Sequence, residues 1–236
     1  MIEHLALAIL LSVDPAEPQS VDRAAPVVAP VASTLLVRYR FVNANFVISR
    51  IEMTIDGSGR GRLTWERRDV NRTQSRDVRV SDAGIAELRD VLARMDFVNS
   101  SEQYQTKEDH SNLGETAIRV DQGGSSREVV FNYTKHRDAD ALGRFLRGIA
   151  NREMHVTEIE VAVQHQPLET PAAIATLAGE FKAGRLADTA SLLPLLKSIV
   201  DDASLPVITR NRAGELAAKI REHVDEQKRS GKTKGR

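Results

Sequence analysis

The amino-acid sequence predicts an α+β protein: an antiparallel sheet of about five to six strands packed by helices, followed by an all-helical C-terminal extension. Three observations carry this expectation. Between Thr34 and Val80 apolar and charged residues alternate with period two, the pattern of strands with one buried face. Turn-forming Gly and Asp residues punctuate that alternation. From Asp138 onward the apolar period becomes 3.6 and stays helical nearly to the end.

The elements follow in order. Val37, Tyr39 and Phe41 alternate with Arg38 and Arg40 on a first strand. On a second, Val47, Ile51, Met53 and Ile55 share one side, and Arg50, Glu52 and Thr54 the other. Asp56-Gly57-Ser58-Gly59 turns the chain into a third strand through Leu63 and Trp65, and Val78 and Val80 mark a short fourth. Ser81 can cap a helix over 82–95, where Ile85, Leu88, Leu92 and Met95 recur at helical spacing. A polar loop occupies 99–114. Ile118 and Val120 begin a hairpin that turns at Gly123-Gly124 and returns through Val129, Phe131 and Tyr133. A long helix follows over 138–165, with a β-branched second half expected to kink or break it. Three further helices are predicted at 170–183, 189–202 and 206–228, separated by Gly184 and the Leu205-Pro206 step. The division expected is an α+β domain over 34–150, a helical extension over 151–228 and a basic disordered tail over 229–236.

The first 33 residues read differently. Leu5–Val13 is a nine-residue apolar run broken only by Ser12, far below the ~20 residues of a bilayer span but matching a signal-peptide core. Glu3 and His4 stand where basic residues belong, and a short apolar helix packed on the domain is the competing reading. Residues 14–33 hold Pro15, Pro18, Pro26 and Pro30 without period, as a tether would. An exported protein, periplasmic or secreted, is therefore expected, with a leader at 1–13 and a linker at 14–33; a cytoplasmic location is the alternative.

Composition narrows the function. The 33 basic and 33 acidic residues cancel, which argues against a bulk nucleic-acid binder. Cysteine is absent, which excludes disulfides, thiolate metal sites and cysteine nucleophiles. The cancellation conceals unlike blocks: residues 34–80 carry ten Arg against five acids, and residues 81–166 ten bases against 15 acids.

The strand and turn MTIDGSGRGRLTW, the helix SDAGIAELRDVLARMDF, the loop YQTKEDHS, the following hairpin and the helix opening DADALGRFLRGI come in a telling order. Together they resemble an uncharacterised, mostly exported bacterial α+β domain family of unknown function. The resemblance covers roughly a hundred residues of fold positions and implies no reaction; the family's Asp before the hairpin would correspond to Asp109. The segment LLPLLKSIVDDASLPVITRNRAGELAAKI is similar to one HEAT-type helix pair, with Pro194 in the first helix, Asp201-Asp202 at the turn and Arg212 at the base of the second. A single such unit needs neighbours to cover its face, which implies a buttress on the α+β domain rather than a solenoid.

The residues themselves point to binding more than catalysis. The six histidines form no HExxH, and His155 with Glu158 gives only two ligands where a metal needs three or four. Asp109-His110-Ser111 are adjacent and cannot arrange themselves as nucleophile, base and orienter. Gly57–Gly61 joins two strands and lacks the Lys of a phosphate loop. No catalytic residue, metal or cofactor is therefore assigned. The candidate binding residues are Arg60, Arg62, Arg68, Arg72 and Arg76 on the early strands, and Tyr104, Lys107, Asp109 and His110 on the 99–114 loop, with Glu102 and Glu108 beside them. The expected function is a non-catalytic interaction module that docks a protein partner through the Arg-rich sheet face or this loop. The alternatives are a hydrolase-like enzyme using Glu108, Asp109 and His110, and a polyanion-binding protein. Nucleic acid is not expected, nor any membrane span beyond the leader, and oligomeric state is left open.

Overall fold

A computed structural model describes residues 35–108 and 110–234; the segments expected to be a leader and a linker, with Thr34, Asp109 and the last two residues, lie outside the described residues. Six strands form one antiparallel sheet in the order β4-β3-β2-β1-β5-β6. They are β1 (Leu36–Val42), β2 (Ile48–Asp56), β3 (Arg60–Arg67), β4 (Arg72–Arg79), β5 (Glu115–Gln122) and β6 (Ser125–Phe131). The helices are α1 (Asp82–Arg94), α2 (Arg137–His165), α3 (Thr170–Lys182), α4 (Leu193–Asp201) and α5 (Val207–Lys234). The α+β class, the six strands and the helical extension agree with the sequence.

Period-two alternation places Val37, Tyr39, Phe41, Ile51, Met53, Ile55, Leu63 and Trp65 on one face, all buried against α1 and the first half of α2. Removing that apolar surface from water is what holds the helices to the sheet, at about 1.5–3 kcal/mol per fully buried large side chain. The helix α1 starts where Ser81 accepts a hydrogen bond from the Gly84 amide.

Three expectations are corrected. Val47 lies in the β1–β2 turn and is 52% exposed, because a bulge between Ile48 and Arg50 shifts the register that would have turned it inward. Tyr133 lies beyond the end of β6 and is exposed, because the chain leaves the sheet at Phe131. The helix α5 continues to Lys234, through residues expected to be a disordered tail.

The long helix α2 neither kinks nor breaks: it runs 29 residues, about 43 Å. Its β-branched half is held by burial. Val156 and Ile159 enter a second apolar cluster with Ile174, Leu177, Leu196, Ile199, Leu216 and Ile220. The first cluster ends at Met154 on the same helix, so α2 carries residues of both apolar clusters.

Charged side chains mark that changeover. Arg152 is 1% exposed and donates to Asp188 (2.7 Å) and Glu153 (2.6 Å), and to the Arg79 carbonyl at 2.9 Å. Asp188 also accepts from the Ser81 amide, the Ser81 hydroxyl and the Ser191 hydroxyl. Glu153 in turn pairs with Arg76 on β4 at 2.9 Å. One buried network thus ties the sheet edge, the start of α1, the middle of α2 and the segment before α4.

Candidate docking surface at the loop end of the sheet

The predicted basic residues divide into three environments. The first is the open sheet face. The register puts Asp77, Arg62, Thr54, Arg38, Arg119 and Glu128 in one row across all six strands. Arg62 donates to Asp77 at 3.1 Å and to Ser75 at 2.8 Å, Arg40 pairs with Glu115 at 2.9 Å, Arg50 with Glu52 at 2.5 Å, and Arg38 and Arg119 both reach Asp121. Arg60, at the end of this face, donates to Ser58 in the turn. Cross-strand pairs of this kind neutralise a sheet face that sequence counting alone made basic. Carboxylates from β5, distant in sequence from the first strands, supply much of the balance.

Arg76 belongs to the second environment. It pairs with Glu153 and Glu160 and donates to Thr157 at 2.8 Å, so it holds α2 to β4 and offers no free charge. Tyr104 is equally structural: 4% exposed, it lies under the Arg127 guanidinium, 5.2 Å from its ring centre. Arg127 also donates to the carbonyls of Phe97 and Glu102, which fixes the early 99–114 loop along β6.

The third environment is the end of the sheet where β1, β3 and β6 finish and β5 begins. Arg68 and Arg72 lie there, as do Lys107 and His110. The sequence reading missed what accompanies them. Five exposed large apolar side chains gather along this end: Val70 in the β3–β4 turn, Phe46 and Val47 in the β1–β2 turn, Leu113 before β5 and Tyr133 after β6. Among the described residues, the remaining exposed large hydrophobics are Val130 on the open face and Val161, Leu168, Val200, Val207 and Ile208 in the helical extension. The signal for the loop-end group was one or two apolar residues inside otherwise polar turns (NANFV, RDVNR, SNLG), which period counting passes over.

Hydrogen bonds between the turns hold this end rigid. Arg68 donates to the Ala44 carbonyl at 2.7 Å, and its amide donates to Val47, which joins the β3–β4 and β1–β2 turns. Buried Asn43 donates from Nδ2 to the Asn112 carbonyl at 3.0 Å and joins the latter turn to the short helix before β5. Gln105 and Asn132 exchange two hydrogen bonds of 2.8 Å, and the Thr106 amide donates to the Tyr133 carbonyl. Gly114 makes the close approach workable. At φ +86° it occupies backbone space where a Cβ would sit 2.7 Å from the Val42 carbonyl oxygen. Beside the rim lies an open depression of about 510 Å³, walled by Asn43, Asn45, Gln105, Ser111, Val130 and Asn132.

His110 packs against Tyr133 with the rings tilted by 55° and their centres 4.6 Å apart, and it lies 3.4 Å from Glu108. Lys135 and then His110 hold the Glu108 carboxyl below its ordinary range, so it stays ionised. Neither Glu108 nor His110 lines the depression. Chemically the end offers apolar contacts, amide donors and acceptors, and cations. Among the described residues no group of three or more metal-ligating side chains occurs, and no helix is long and apolar enough to cross a membrane.

No protein-family model matches the sequence, and no curated protein matches it.

Proposed function

We propose that this protein is an exported interaction module, without a reaction of its own, that docks its partner through the loop end of its sheet. The observation that carries the reading is the row of five exposed apolar side chains fixed in place by hydrogen bonds between turns. Exposed apolar clusters mark interaction sites, and a face held rigid before binding loses little conformational entropy on contact. The open sheet face supports docking less well, since its arginines already have carboxylate partners. That balance also weakens the polyanion reading. The hydrolase reading needs a carboxylate and His110 converging on a concavity, whereas the nearby depression is walled mainly by amides and backbone.

Site-specific photo-crosslinking in native cells tests this. A crosslinker at Phe46 or Leu113 should give discrete adducts, and one at Arg62 on the sheet face or Ala86 on α1 should give few. Adducts concentrated at Arg62, with none at the rim, would overturn the proposal.

A further inference from the structure

The structure assigns the loop end a chemical class of partner: we infer that it docks on an anionic lipid surface. This rests on the loop end being the docking face. The apolar side chains come singly or in pairs from separate turns, strung along the sheet end in strand order. Strands lie about 4.8 Å apart, so the row from the β3–β4 turn to the exit of β6 extends roughly 20 Å. Separate tips in a line cover little area against a rigid protein surface. In the boundary between headgroups and acyl chains each tip can bury independently, as on proteins that bind at the membrane surface.

Charge complements that geometry. Arg68 gives its guanidinium only to the carbonyls of Ala44 and Asn45, and Arg72, Lys107 and Arg137 are exposed with no carboxylate at ion-pair distance among the described residues. Most described carboxylates of this end have a cation of their own: Asp69 pairs with Arg67, Glu108 with Lys135 and Glu115 with Arg40, while Glu102 lies 3.5 Å from His136 and Glu66 lies near Arg50. Unpaired cations beside apolar tips are what an anionic leaflet attracts. An acidic protein surface would satisfy the cations but leave the line of tips less covered.

Co-sedimentation of the full chain with vesicles tests the inference. Phosphatidylcholine mixed one-to-one with phosphatidylglycerol should bring the protein down, phosphatidylcholine alone should not, and added salt should weaken binding. Val70→Ser/Leu113→Ser and Arg72→Glu/Lys107→Glu should each weaken binding about tenfold or more, while Arg62→Ala binds like the parent. Circular dichroism of each variant should match the parent, which keeps a lost fold from passing for lost binding. Equal binding to both vesicle types, or full binding by the rim variants, would overturn the inference. Protein adducts at Phe46 in cells without vesicle binding would discard the lipid and keep the docking face. Absence of both would discard both.

Discussion

At the scale of single residues, Asp188 decides how the sheet and the helices are held together. It adopts a left-handed backbone conformation (φ 48°), unusual outside glycine, with its carboxylate almost wholly buried. The conformation directs that carboxylate at Ser81, Ser191 and Arg152 simultaneously. Asp188→Ala would leave the Arg152 guanidinium buried without one of its counter-charges and α1 without part of its anchorage. The expected loss of stability is about 3–5 kcal/mol, read from the urea midpoint at unchanged m value. A loss below about 1 kcal/mol would mean the network contributes little. None of this was legible in sequence: Asp188 read as a residue between helices, and its partners lie 36 and 107 positions away. Arg76 was misread for the same reason, as its partners lie on α2. Tyr104, exposed in a reading of its loop alone, is buried because Arg127 arrives from β6.

At the scale of elements, local periodicity was a sound guide. The strands around Val37, Ile51, Leu63 and Ile118, the turn at Asp56–Gly59 and the Ser81 cap are all recorded in short-range pattern. The errors sit where pattern meets a local defect, as with Val47 at the bulge and Tyr133 past the last ladder pair. The second half of α2 reads as fragile from propensity alone. Its continuity comes from Val156 and Ile159 entering the helical cluster, a tertiary cause. Because α2 carries residues of both apolar clusters, the sheet and the helical extension should unfold together. Fluorescence of Trp65 and far-UV circular dichroism should give coincident urea transitions. Thr157→Pro removes a hydrogen bond from the middle of the shared helix, should cost about 3 kcal/mol or more, and should separate the two transitions. Coincident transitions in that variant would show that α2 is not what couples the two parts.

At the scale of the whole molecule, the unlike charge blocks behind the zero net charge pair with one another across the fold. On the open face the basic first strands meet carboxylates of β5, and on the opposite face those of α2. At the loop end, cations without carboxylate partners among the described residues lie beside apolar tips on turns cross-linked by hydrogen bonds. The sequence indicated this end only through its long 99–114 loop, and not the apolar residues that three other segments bring beside it. The most direct measurement compares native-cell fractionation of Phe46→Ser/Leu113→Ser with that of Arg40→Ala/Arg62→Ala. Loop-end docking predicts that the first variant moves from the partner-bound fraction to the free fraction, while the second stays with the parent. Release of the sheet-face variant, with the loop-end variant still bound, would contradict it.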